Sequence, residues 1–599
     1  MPSKTARPTR AFPWPHAGAL SSAPTRFLSR AGAGAGATAL LALAALAGCG
    51  SSGSGSADPA SVVPASAPLY ASVAIKPAGG SGGAATVAAK KLTHLTEPYG
   101  SLAQTLLSSP GAGLEYKRDI GPWVGERAGV FVTAANAGKL TGSVGSLQTL
   151  LQGGLSSLSS VLGASALAEK GTQGAIVLQT TDAGAARSFV AKQAGRQGAH
   201  AASYRGVSFQ ITSGGVAEGI VKSFAVFGSE SAVHAVIDTS LGAASFASKP
   251  GYSKPASATI ASAYVEAEKL VGATQSSAGA SAGGGGGTSG GSASAGGGAG
   301  QAVSLLGQLL GGVQSATLTA TATSNSISLQ GEVHSAGAAK PLFGAEGAQA
   351  LGELPATSWL AAGVGDTGAN LPRALALLQG VASLGSSTVF SSFGGPSIEK
   401  IFKALDAPGA KLQQDFGSWA GPGGMFVSGS GLFNLQAGLV IASSEPAASR
   451  AAVGKLAALM RGAGATVANA SIPGADAAMS VKLPGFPAVI FIADGTGSSG
   501  QAKFVLGLGQ QSIEGALSPS ATLSTSAAYS NATATLGGGI EPSLIVEFPT
   551  LLGFLEGVGL TQSPSVSGLV PYLKSLGTLT AGATGSAGTQ RYKVVLGLA

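Results

Sequence analysis

Histidine is the side chain that most often works as acid, base or metal ligand near neutral pH, and here it stands at positions 16, 94, 200, 234 and 334. No two histidines sit at i, i+4, and no His-Glu-x-x-His or Cys/His cluster occurs, which argues against a transition-metal site of ordinary spacing. His234, on the segment after Ser229, reads as a surface or edge residue rather than a base. Gly-x-Ser-x-Gly appears at Gly279 to Gly283 and at Gly287 to Gly291, but both lie in a tract of almost pure Gly, Ser and Ala. A nucleophile elbow needs a strand before it and a helix after it, so these are compositional accidents. Gly363-Val364-Gly365-Asp366-Thr367-Gly368 fits a dinucleotide fingerprint between a strand and a helix, yet the acid that should follow about 20 residues on is missing. The nearest candidate is Glu399. Glu266 and Glu268, at i, i+2, share a face only on a strand. Four residues remain, Asp119 with Trp123 and Asp415 with Trp419, as corners that either contact a ligand or cap a turn over a packed indole. No residue is assigned a catalytic role, and no cofactor or metal is expected.

The single cysteine, Cys49, has a different context. The first thirty residues are basic and free of acids, and Ala31 to Ala45 is small and increasingly apolar, an n-region followed by an h-region. Leu46-Ala47-Gly48-Cys49 then resembles the lipobox of bacterial lipoproteins, in which the thiol takes a diacylglyceryl group before cleavage just ahead of it. The resemblance implies a signal peptide over 1–48, a lipid on Cys49, and a cell-membrane location on the extracytoplasmic face. A Gly/Ser-rich tether over 49–60 follows. With its one cysteine consumed, the folded part has no disulfide and must stand on its core.

A pI of about 9.4 invites a nucleic-acid partner until the basic residues are located. Five of the 34, Lys4, Arg7, Arg10, Arg26 and Arg30, precede the cysteine, leaving 29 against 26 acids. The densest remaining basic cluster is Lys90-Lys91, too little to neutralise a run of phosphates. Charged residues make up only 10% of the chain and glycines number 95, so the surface must be largely Ser, Thr, Gly, Ala and Gln.

What positions these residues is read from repetition. Asp119-Ile120-Gly121-Pro122-Trp123-Val124-Gly125, running into Gly129-Val130-Phe131-Val132, recurs as Asp415-Phe416-Gly417-Ser418-Trp419-Ala420-Gly421, running into Gly424-Met425-Phe426-Val427. Other segments recur in the same order, so the expected fold is α+β, a tandem duplication of one unit. Each unit is predicted to be an antiparallel-rich sheet with helices packed on one face. The first repeat spans 61–337 and contains a disordered Gly/Ser insertion at 273–300; residues 338–351 form a linker, and the second repeat spans 352–599. Strands are predicted over Leu69 to Ile75, Ala128 to Thr133, Ala175 to Thr180, Val207 to Thr212, Ser223 to Phe227 and within Ala316 to His334. Asp182 is expected to cap one helix, and Ser444 with Pro446 another. Two apolar stripes, Leu147 to Leu162 and Val303 to Val313, either pack on the sheet or act as lids over an apolar ligand.

The Asp-Ile-Gly-Pro-Trp-Val-Gly motif, Thr181-Asp182 opening a helix, and Tyr204-Arg205-Gly206-Val207 together resemble the bacterial family catalogued as domain of unknown function 3352. The second repeat departs from the pattern: Tyr-x-Gly-Val is absent near Asp476 to Leu483, and Gly423 stands where Arg127 would be. The resemblance implies an exported or membrane-associated protein and no established activity. The function expected from these features is non-catalytic binding or structural contact, with a protein or an apolar ligand as partner and no nucleic acid. A carrier of lipids or other hydrophobic molecules is the alternative, and an envelope hydrolase without a local motif is a second.

Overall fold

The computed structural model describes residues 57–76, 79–107, 114–134, 164–168, 172–256, 258–267, 269, 313–336, 343–371, 415–484, 486, 488–586 and 588–599. Their strands join into one 20-stranded sheet in which every pairing is antiparallel. From one edge it runs β4 (His200–Tyr204), β5 (Val207–Ile211), β6 (Ala217–Val221), β7 (Phe224–Gly228), β3 (Gln173–Thr180), β2 (Val124–Ala134) and β1 (Leu69–Ala74). The middle is β8 (Thr259–Glu266), β9 (Val313–Thr323), β10 (Ser326–Ser335), β20 (Thr589–Leu598), β19 (Leu576–Ser586) and β18 (Pro542–Glu547). Beyond it lie β11 (Ser358–Val364), β12 (Ala420–Ser428), β13 (Gln436–Ser443), β17 (Ala502–Leu508), β16 (Val489–Thr496), β15 (Ala475–Lys482) and the far edge β14 (Thr466–Asn469).

This corrects the expected tandem pair of units with a sheet each. The central hairpin β9–β10 and the C-terminal hairpin β19–β20 pair edge to edge through β10 and β20, with nine residues of β10, Ser326 to His334, in register. An unpaired edge of that length would leave a row of unsatisfied N–H and C=O groups, and pairing removes it.

The helices likewise cover both faces rather than one. On β3, Ile176 and Leu178 pack with Phe189 and Val190 of α3 (Ala183–Arg196), while Ala175 and Val177 pack with Val233 and Ile237 of α4 (Glu230–Ser240). On β13, Ile441 faces α6 (Pro446–Gly462) and Val440 faces α7 (Gln510–Leu517). Burying alternate residues on both sides at ~1.5–3 kcal/mol per large aliphatic side chain is what makes such strands read as continuous apolar runs. Across the middle, α1 (Gly79–Thr93) and α2 (Pro98–Leu107) share the first of these faces with Ile327 of β10 and Leu598 of β20. The last turn and more of the stretch expected as a linker is α5 (Ala345–Gly352).

Asp182 caps α3 as expected, accepting N–H bonds from Gly184 at 2.8 Å and Ala185 at 2.9 Å. Ser444 does not cap α6: its hydroxyl donates to the Trp419 carbonyl at 3.1 Å, and Glu445 occupies the cap with Pro446 behind it. The stripe Leu147 to Leu162, both Gly-x-Ser-x-Gly matches and Cys49 with its leader lie outside the described residues, as does the second stripe up to Val313, which opens β9. No described helix is long and apolar enough to cross a membrane.

Candidate functional site

Alternation along the central strands gives the sheet two unlike faces. On β9, Leu318, Ala320 and Ala322 point to the face covered by α1, and Thr317, Thr319 and Thr321 point away from it. On β10, Ile327 and Leu329 alternate with Ser326, Ser328 and Gln330 in the same sense. Register then assembles the polar side chains across strands: Ser328 lies opposite Thr321 on one side and Val595 on the other, and Gln330 lies between Thr319 and Lys593. Thr580 stands opposite Val595, and Glu547 opposite Thr578.

This polar floor is walled on one side by α8 (Ala527–Leu536), whose Asn531 and Thr535 face it, and the enclosed valley measures about 610 Å³. Its lining mixes hydroxyls and amides, from Thr321, Asn325, Ser326, Ser328, Gln330, Asn531, Thr535, Thr578 and Thr580, with the small apolar surfaces of Ala528, Ala532, Val595 and Gly597, and has no aromatic ring. Two charged groups reach it. Lys593 is already engaged, donating from Nζ to the carbonyls of Thr535 at 3.3 Å and Leu536, where it meets the negative end of the α8 dipole. Glu547 accepts from the Thr550 hydroxyl at 3.1 Å through one oxygen. The Ser328 hydroxyl is buried without a hydrogen-bond partner among the described residues, an uncommon state for a polar atom and one that a bound donor or acceptor would relieve. Sequence reasoning missed this valley. The signal was there in the alternation Thr-Ala-Thr on β9 and Ser-Ile-Ser-Leu-Gln on β10, which announces a half-polar strand; which strands would lie beside it was not announced.

The two corner tryptophans are set deep in the fold and their aspartates stand half-buried above them. Trp123 is 2% exposed and Trp419 1%, and each indole Nε1 donates to the carbonyl of the aspartate four residues earlier, at 2.8 Å to Asp119 and 2.7 Å to Asp415. The tryptophan carbonyls accept the backbone N–H of Thr181 at 2.8 Å and of Ser444 at 2.9 Å, tying each corner to the start of the following helix. Asp119 accepts the N–H of Glu115 at 2.9 Å and pairs with Arg118 at 2.8 Å and Lys192 at 3.7 Å; the Arg118 hydrogen bonds above all hold its carboxyl far below the usual range. Asp415 pairs with Lys455 at 2.5 Å. Neither corner opens onto the valley lining.

The glycines of the 363–368 fingerprint have packing reasons. A Cβ on Gly363 would come within 1.8 Å of the Gly347 carbonyl of α5, and one on Gly368 within 2.4 Å of the Gly417 carbonyl. The turn is thus filled by protein backbone where a pyrophosphate would lie. His234 stacks on Tyr204 at 4.0 Å and approaches Glu230 at 3.8 Å, as an edge residue does. Glu266 binds Lys249 at 2.9 Å and Lys269 at 2.8 Å; burial pushes its carboxyl up, but the two ammonium groups hold it below the usual range. Among the described residues no three His, Cys, Asp or Glu side chains converge as a metal site would require.

Fold and valley together define a protein built on one very broad antiparallel sheet with a hydroxyl-lined trough across its middle. The chain belongs to the family described as protein of unknown function (DUF3352), whose pattern matches residues 28–598. No curated protein matches the sequence. Two solved structures, crystal forms I and III of TP0453, are similar over 48% of this chain and 81% and 83% of their own, at 10% identity and TM-scores of 0.23 and 0.24. A likeness of that size carries no argument about fold or function.

Proposed function

We propose that this chain is a lipid-anchored protein of the extracytoplasmic membrane face that acts by binding, not catalysis, and that the central valley is its binding surface. The observation that carries the reading is the lining itself. Hydroxyls and amides spread over three strands and α8, with the buried Ser328 Oγ unmatched among the described residues, suit an uncharged ligand rich in its own hydroxyl or amide groups, such as a cell-wall glycan. An apolar carrier would need a cavity walled by large aliphatic and aromatic side chains, and the valley offers Val595 as its one large aliphatic residue beside many hydroxyls and amides. A hydrolase acting on a glycan would use a pair of facing carboxyls, and the valley lining holds a single one, Glu547. The tryptophan corners are read as structural, since their indoles are buried and their aspartates paired. Attachment rests on the Leu46-Ala47-Gly48-Cys49 pattern; two acyl chains are the condition for stable anchoring.

One experiment covers both parts. Cells making the full chain are fed an alkyne analogue of palmitate, fractionated, and the membrane extract is mixed with insoluble cell-wall glycan. The native chain is expected in the labelled membrane fraction and retained on the glycan. Cys49→Ala should lose label and membrane residence, and Ser328→Leu with Gln330→Leu should lose retention by about tenfold, the value of one or two hydrogen bonds. Unchanged fractionation of Cys49→Ala overturns the anchor, and equal retention of the valley variant overturns the binding surface.

A further inference from the structure

The hairpin joining β12 to β13 carries two exposed apolar side chains that no described residue covers. Phe433 is fully exposed and Leu432 is 51% exposed. The loop beneath them is held firmly. Asn434 Oδ1 accepts the N–H groups of Ser430 at 3.1 Å and Gly431 at 2.8 Å, a side chain imitating a backbone turn. Gly429 has φ +93°, and a Cβ there would lie 2.1 Å from the Asn434 carbonyl, so the reversal admits only glycine. Trp359 Nε1 donates to the Gly429 carbonyl at 2.9 Å, and its ring lies 6.1 Å from that of Phe554 on α9 (Phe548–Gly557). Phe433 is therefore presented by a built loop.

Between Asp415 and Glu445 the sequence holds no charged residue. The hairpin itself therefore carries no charge; one exposed carboxyl, Glu556 of α9, stands next to Gly557, which packs beside the Ser430 carbonyl. Two side chains also offer far less surface than the roughly 800 Å² per partner that a specific protein interface buries, whereas a fluid interface can take up a pair of them. Two N–H groups near the tip are already satisfied by Asn434, so moving the loop into a medium poor in water leaves them paired. We infer that Leu432 and Phe433 form a wedge that enters the interfacial layer of a lipid bilayer. The inference rests on the proposed membrane location only for the bilayer being at hand. Burying two such side chains gives weak attachment alone; added to an anchor, it fixes which way the body faces.

The test uses the full chain reconstituted in phosphatidylcholine vesicles, with an environment-sensitive NBD label on a Phe433→Cys variant and, as control, on Ser213→Cys in the turn between β5 and β6. Labelling is done in a Cys49→Ala background as well as in the native one, so that lipidation and insertion are read apart; a dye taken up by Cys49 itself reports failure of the anchor alone. The expected result is blue-shifted emission at position 433, cut about twofold or more by nitroxide-bearing lipid, with the control at its value in water. The same shift should appear when phosphatidylglycerol replaces part of the phosphatidylcholine, because the wedge is uncharged. Emission at position 433 equal to that of the control overturns the wedge. A vesicle-independent shift that follows protein concentration would place a second copy of the chain on the tip and overturn it too.

Discussion

At both tryptophan corners a carboxyl lies on the strand opposite a phenylalanine. Glu218 of β6 faces Phe227 of β7, and Asp494 of β16 faces Phe504 of β17, in the same antiparallel sense. Both are nearly inaccessible, at 3% and 1% exposure. Their partners differ. Asp494 accepts a hydrogen bond from the Ser449 hydroxyl at 2.6 Å and has Arg450 at 3.7 Å, whereas Glu218 has no hydrogen bond or ion pair among the described residues. Burial raises both carboxyls, and Ser449 and Arg450 pull Asp494 back, but nothing pulls back Glu218, which is pushed up to about 7. Two buried carboxyls near the corners thus keep different company: Asp494 has a hydroxyl and a guanidinium beside it, and burial alone acts on Glu218.

The largest effect expected is one the two corners share. Trp123→Ala and Trp419→Ala should each cost about 3–5 kcal/mol in urea unfolding, because each removes a fully buried ring and strands the aspartate carbonyl it serves. Costs differing by more than ~2 kcal/mol would break the equivalence of the corners. Next comes the difference itself. Unfolded, Glu218 titrates near 4.5; folded, it stays protonated to about 7, so the folded chain binds the extra proton and stability falls as pH rises between those values. The loss amounts to about 3 kcal/mol by pH 8. Glu218→Gln should flatten that slope, gaining about 1–2 kcal/mol at pH 8 and nothing at pH 4, since its own unpaired amide offsets part of the gain. An unchanged pH profile in unfolding would show that the carboxyl is charged and partnered after all. The smallest effect concerns the rims: Lys192→Met and Lys455→Met remove half-exposed partners of Asp119 and Asp415, and each should cost under about 1 kcal/mol, less still in high salt.

Much of the local structure was legible. The strand beginning at Leu69, the β9–β10 hairpin within Ala316 to His334 and the Asp182 cap all follow from alternation, turn residues and one acidic side chain before a helix. The recurring Asp-x-Gly-x-Trp motif marked two real corners, with indole and carbonyl four residues apart. What it did not disclose was the single sheet. Alternation on β10 says that one face is polar, and it says nothing of a partner strand at the other end of the chain. The run Ala175-Ile176-Val177-Leu178 did carry a signal for two covered faces, because a strand solvated on one side would alternate there. Ser444 misled for a related reason: a serine before a proline-led helix fits a cap, and only the fold reveals that a tryptophan carbonyl competes for its hydroxyl. The valley escaped because its floor belongs to strands that meet only in the finished sheet.

The place of β20 has a consequence for how the chain is completed. β20 lies in the middle of the sheet, where Thr589 meets His334, 255 residues earlier. Closing so long a loop makes the central pairing a slow, late step. Until it occurs, β10 keeps an open edge of nine residues able to recruit strands from other chains. Removing Thr589 to Leu598 would thus do more than shorten the chain: it would leave two sticky edges, β10 and β19, at the centre of the sheet.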